Sequence, residues 1–223
     1  MKHAGHESWQ IREERWSQYF DWALWIRAAE RIDVPAGGIV PGALLIDRLP
    51  EPSPGLDQAV LAAEWVAWWR SLFDLPREGS LPGEGDLPGE GRLSSPGQLT
   101  DSGEPPPRFA DGGPDLDGLA GQPLLREVLA RRWMAAHRWH SDRKLAGLRE
   151  YGNWRRQQSS AVMREFERTL GRRARPFALT IDVLPVDDPE VRAISDTRFL
   201  VSERIRDSSD WAEVLRGLVG PLA

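Results

Sequence analysis

Phe177-Ala178-Leu179-Thr180-Ile181-Asp182-Val183-Leu184 is the stretch on which the fold class turns. Phe177, Leu179, Ile181 and Val183 alternate with Ala178, Thr180, Asp182 and Leu184, the two-residue period of a strand with one face on a core. Before it, most apolar residues recur at helical spacing, so the chemistry changes here and the chain is not all-helical. Arg198-Phe199-Leu200-Val201-Ser202 is a second strand candidate. Pro185 to Thr197, between the two, is too long for a tight hairpin and leaves room for a helical turn at Pro189–Ile194. Beyond them, Asp210 with Glu213 makes a capping box ahead of Trp211, Val214, Leu215 and Leu218, a terminal helix.

Upstream, a helix over roughly residues 147–170 collects Leu148, Tyr151, Val162, Met163, Phe166 and Leu170 and stops at Gly171. Before it Pro123 opens another, striped by Leu125, Leu129, Trp133 and Ala136 and widened by Val128 and Trp139. The two read as an antiparallel pair. Nearer the N-terminus, residues 12–31 place Trp16, Tyr19, Phe20, Ala23 and Ile26 on one stripe. Trp25 points nearly opposite and Trp22 lies off the stripe's edge, as in a buried helix or one shared by two surfaces. Ala43-Leu44-Leu45-Ile46 has the length of a short buried strand. Ser53 then Pro54 reads as an N-cap and first helical residue, followed by a face of Leu61, Trp65, Trp68, Trp69 and Leu72.

Pro76 to Pro114 interrupts this order. It holds a six-residue near-repeat, Leu81-Pro82-Gly83-Glu84-Gly85-Asp86 then Leu87-Pro88-Gly89-Glu90-Gly91-Arg92. Proline removes donors and glycine raises the entropy of ordering, so the tract is expected to form no packed element and to be dispensable for folding. The expected fold is therefore α+β: a mainly helical body with a small antiparallel sheet near the C-terminus, interrupted by a long disordered Pro/Gly tract. Residues 9–75 and 118–223 are expected to pack as one domain across a linker at 76–117.

Eleven tryptophans in 223 residues, with no cysteine, mark the composition. Each buries a large area but keeps an N–H in need of a partner. The missing thiols exclude disulfides and cysteine-ligated metals. No run approaches the ~18 apolar residues of a membrane span, and the N-terminus leads into charge rather than an apolar run, so a cytoplasmic location is expected. Arginine outnumbers lysine 27 to 2. The net charge of −5 divides into −10 for residues 1–118, +9 for 119–176 and −4 for 177–223. Either these pieces pack against one another or the basic middle meets an anionic partner.

Three groups of residues could carry chemistry. His137 and His140, with Asp142 nearby, lie at i, i+3, a spacing that can share a metal, but His140 falls within the apolar stripe as a core histidine would. Asp182, Asp187, Asp188 and Glu190 form an acidic group after a strand, also the composition of a solvated turn. Arg131-Arg132, Arg138, Arg143-Lys144, Arg155-Arg156 and Arg172-Arg173-Arg175 are interleaved with Trp133, Trp139 and Trp154, the vocabulary of single-stranded nucleic-acid binding. No phosphate loop or nucleophile elbow is present. No cofactor or metal is expected. The leading expectation is a non-catalytic protein–protein interaction or scaffold component, with Trp22, Trp25, Trp154, Arg155 and Arg156 as its contact residues. The alternatives are a weak nucleic-acid-associated protein using residues 119–176, and a hydrolase or metal enzyme with a site assembled from distant residues.

Overall fold

The alternation at Phe177–Leu184 forms a strand, and its neighbours determine the architecture. In the computed structural model, residues 9–74, 109–110, 113–114, 116–150 and 154–223 are described. In chain order these hold β1 (Trp9–Glu14), α1 (Gln18–Ala29), β2 (Ala43–Leu44), α2 (Gln58–Ser71), β3 (Phe109–Ala110), β4 (Gly113–Pro114), a 3-10 turn at Asp117–Leu119, α3 (Pro123–Glu150), α4 (Trp154–Leu170), β5 (Phe177–Leu184), β6 (Val186–Asp187), β7 (Arg192–Ser195), β8 (Arg198–Ser202), α5 (Glu203–Arg206) and α6 (Trp211–Val219). The chain is mixed α/β, with a four-stranded mixed sheet ordered β1-β5-β8-β7 and a two-stranded pair β2-β6.

The sheet is not the antiparallel one expected. β1 runs parallel to β5, from Trp9 opposite Phe177 to Glu14 opposite Asp182, and β8 is parallel to β5 on its other side. Within this sheet, among the described residues, only β7 and β8 pair antiparallel. The reason lies in Pro185–Thr197, which holds strands rather than a helical turn. β6 leaves the sheet to pair with β2, and β7 then turns back into β8 through Asp196-Thr197, so β8 re-enters in the direction of β5. Residues 12–14, read at helical spacing, belong instead to β1, and helix α1 begins only at Gln18. Helix α2 begins at Gln58, where the Asp57 side chain accepts from the N–H groups of Ala59 and Val60. Ser53 is not its cap. Gly55, at φ +75°, takes a left-handed turn between them that no helix could contain. Asp210 precedes α6 without a side-chain capping bond.

Two hydrophobic clusters follow. The larger is built on α1, α2 and α3, with Leu119 and the inner residues Leu184, Val186 and Leu200. The second joins α4 and α6 to the sheet through Val162, Met163, Leu179, Ile181, Val183, Val201, Trp211 and Leu215. Helix α3 therefore packs on α1 and α2, while α4 packs on α6. The principal packing partners of α3 and α4 among the described residues are thus other helices rather than each other.

Tryptophan supplies much of the larger cluster. Trp65, Trp68 and Trp69 are fully buried. The Trp65 and Trp69 rings stack with centroids 5.4 Å apart, and their indole N–H groups donate to the carbonyls of Ala23 and Ile39, each at 2.8 Å. For Trp65 and Trp69 aromatic area is thus buried with its polar handle satisfied, whereas the buried Trp68 indole N–H has no hydrogen-bond partner among the described residues. The linker expected at 76–117 lies almost wholly outside the described residues. At its end, Phe109–Ala110 and Gly113–Pro114 pair as a small antiparallel ladder, an ordered element not expected there. Among the described residues, no helix is long and apolar enough to cross a membrane.

Candidate functional site

Trp22 and Trp25 do not reach a second surface. They are 1% and 4% exposed. Every residue from Phe20 to Ile26 is buried, because α1 is the central helix of the larger cluster and is covered on several sides at once. The Trp22 ring meets those of Trp133 and His137 on α3, edge-on at 6.4 and 5.8 Å. The side chains of Trp154, Arg155 and Arg156 lie outside the described residues, though their backbone opens α4.

The histidines separate as well. His137 is half-buried among aromatic rings. His140 is buried, and its Nδ1 lies 2.7 Å from Oδ2 of Asp21. The same oxygen accepts from Nη1 of Arg143 at 2.8 Å. Oδ2 of Asp21 is thus within hydrogen-bond distance of both side chains, which joins α1 to α3 at this point. Arg143 continues to Glu203, Glu203 lies 3.8 Å from Arg15, and Arg15 is paired with Asp207. This ionic chain ties α1 and α3 to α5 and the segment after it, bridging the two clusters. Beside it, Glu13 of β1 binds both Arg206 of α5 and the Ser159 hydroxyl of α4.

The acidic group after β5 is likewise committed internally. Asp182 is buried and accepts from Nε of Arg198 at 2.9 Å; Arg198 also donates to the Phe73 carbonyl and lies over the Phe73 ring. Asp188 is buried and accepts from Nε and Nη2 of Arg192 and from the backbone N–H groups of Gly42 and Glu190. Burial pushes its carboxyl up, but the Arg192 guanidinium and these two N–H groups outweigh it and hold Asp188 below the ordinary carboxylate range. Asp187 and Glu190 are exposed, with Arg204 at 3.6 Å and Arg192 at 3.3 Å. Among the described residues, no three His, Asp or Glu side chains are grouped to hold a metal ion.

Part of the basic middle meets the acidic N-terminal half, one of the two accounts its charge allowed. Nε of Arg132 lies 2.6 Å from Glu30, a fully buried carboxylate at the end of α1 that also accepts from the N–H and hydroxyl of Ser53. Arg143 reaches Asp21, and Glu64 of α2 accepts from the N–H of Leu125 in the first turn of α3. These cations and donors orient α3 on α1 and α2.

The outward side of α3 is different. Met134, Leu145 and Leu148 are 54%, 56% and 55% exposed. With Arg138 they are spaced by 4, 7 and 3 residues, which keeps all four within about a quarter of the helix circumference. Asp142 flanks them on the Arg138 side, and neither charge is paired with another described residue. This stripe escaped the sequence reading. Periodicity places Leu148 on the buried face of the following helix, but α3 runs on to Glu150 and α4 starts afresh at Trp154, which breaks the wheel. Leu170, also assigned there, is exposed too. The available signal was the spacing of Met134, Leu145 and Leu148 on the side opposite Leu129, Ala136 and His140.

Comparison of the chain with protein-family models, with curated proteins and with solved structures finds no match.

Proposed function

We propose that this chain is a non-catalytic protein-binding component and that its contact face is the outward side of α3. One observation carries the reading: three large apolar side chains, each more than half exposed, are aligned on one helix face beside charges that no other described residue pairs. Scattered exposed apolar residues are ordinary on any protein, whereas an aligned set rimmed by polar groups is the pattern of an interaction surface. Behind that face, ion pairs from Glu30 and Asp21 hold α3 on the helical body, so the stripe is presented on a rigid element. Rigid presentation lowers the ordering cost of binding. The same pairs commit Arg132 and Arg143 internally, which weakens the case for the basic segment as a nucleic-acid surface.

Site-specific photocrosslinking in the native host tests this. A photoreactive residue at Leu145 should give a discrete protein adduct, and one at Val60, an exposed apolar residue on α2, should not. Leu148→Asp should abolish the adduct without changing the unfolding midpoint. Equal labelling at Leu145 and Val60 would overturn the assignment of the face.

A further inference from the structure

We infer that the partner for this face is a second copy of the same chain, docked with its α3 antiparallel to the first. The inference rests on the protein-binding reading above and names its partner. It comes from the order of residues along the stripe. A two-fold interface must be self-complementary, because each patch meets itself. When two antiparallel helices cross at a two-fold axis level with residue 140, a residue k positions before that level meets the one k positions after it. Arg138 then meets Asp142 of the second copy, and Asp142 meets its Arg138. Both lie on the same flank of the stripe, and like flanks adjoin in an antiparallel pair. Met134 falls level with position 146 of the other helix, between its Leu145 and Leu148. Each methionine is therefore straddled by two leucines, twice over. At about 1.5 Å rise per residue the offsets of Met134 from these leucines are roughly 1.5 and 3 Å, within the reach of interlocking side chains.

Charge supports the same register. Arg138 and Asp142 are exposed and without an ion-pair partner among the described residues, and the two-fold supplies one to each. Arg149 arrives beside Arg131, which is already paired with Glu127 on the same face, so a carboxylate is at hand for the added cation. A parallel pair would instead carry the two Arg138–Asp142 flanks to opposite sides of the seam, where neither charge meets its complement. A single helix face is a small interface, so the dimer should be weak and reversible.

Two measurements on the full chain decide it. Sedimentation should show a monomer–dimer equilibrium. Arg138→Asp or Asp142→Arg alone should weaken association at least tenfold by setting like charges together, and an equimolar mixture of the two variants should recover wild-type association as a heterodimer. Because the chain has no cysteine, single-cysteine variants give the orientation. Under mild oxidation Ser141→Cys, next to the axis, should form a disulfide dimer. Ala130→Cys should not, since it lies about 30 Å from its symmetry mate at the rise used above. A chain that stays monomeric to about 100 µM, roughly a hundredfold above the ~1 µM at which interfaces of standard size are weakest, swaps without effect, no recovery on mixing, or cross-linking at 130 would each overturn the inference. If the chain stays monomeric but Leu145 still cross-links a different protein, the second copy is wrong and the contact face survives. If neither is seen, both readings fall.

Discussion

Gly42→Ala should destabilise the fold more than any other glycine-to-alanine change in the described core. A methyl carbon built on Gly42 would sit 2.1 Å from the carbonyl oxygen of Asp187 and 2.9 Å from its carbonyl carbon. Both are backbone atoms of β6 and cannot swing aside as a side-chain tip could. The only relief is separation of β2 from β6. That separation removes the hydrogen bond from Gly42 N–H to the buried Asp188 carboxylate at 3.0 Å and strains the bond from Leu45 N–H to the Pro185 carbonyl. It also moves the carbonyls of Pro41 and Gly42 away from Arg27. Overpacking a tight site costs about 1–3 kcal/mol, and losing a buried hydrogen bond to a charged group about 1.5–3 kcal/mol. Together these predict a loss of about 3–5 kcal/mol. For a chain of this size that is a fall of roughly 6–20 °C in unfolding midpoint. Calorimetry or circular dichroism measures it, with Gly121→Ala as the control, since a methyl there meets nothing within 4 Å. A Gly42→Ala midpoint within 2 °C of wild type (less than about 1 kcal/mol) would show that β2 and β6 do not approach as described, and the reasoning would fail.

Three other outcomes follow from the same contacts. Glu30→Ala should cost about 3 kcal/mol, the lower end for breaking a buried pair, because Arg132 keeps 17% side-chain exposure and a second bond to the Glu51 carbonyl; urea unfolding measures it, and Glu30→Gln should cost less. Asp188 is held below the ordinary carboxylate value, so its stabilisation is fully present above about pH 4 and lost as the pH falls through the lower folded-state value; acid titration of stability should therefore be shallower in Asp188→Asn, and an unchanged acid limb would contradict the assignment. Trp22→Ala should cost on the order of 3–5 kcal/mol as a core truncation, whereas Met134→Ser on the outward face of α3 should stay within about 0.5 kcal/mol; equal costs in equilibrium unfolding would mean the two positions are not buried and exposed as described.

Several elements were legible because their causes are local. The alternation of Phe177–Leu184, the face of Leu61, Trp65, Trp68, Trp69 and Leu72, the opening of α3 at Pro123 and the stop at Gly171 (φ +66°) all depend on neighbours within one or two turns. Periodicity and capping chemistry report those neighbours directly. The candidate contact face was only partly legible. Met134 and Leu145 have the spacing, but whether a stripe faces core or solvent depends on where the helix ends and what packs behind it.

The sequence by itself determined the kinds of element, the burial of Trp65, Trp68 and Trp69 and the mixture of helix with strand. Only the tertiary structure decided that Trp9 lies opposite Phe177, that β8 runs parallel to β5, and that Trp22 and Trp25 are covered. A parallel pairing between strands so far apart in the chain leaves no trace in the spacing of either, because its register is set by ladder bonds and by the side chains the two strands bury together. Trp22 and Trp25 follow the same physics. A helix apolar on two sides can show one to a partner or lose both to its own fold, and α1 is buried because α2, α3 and the loop behind β2 close around it.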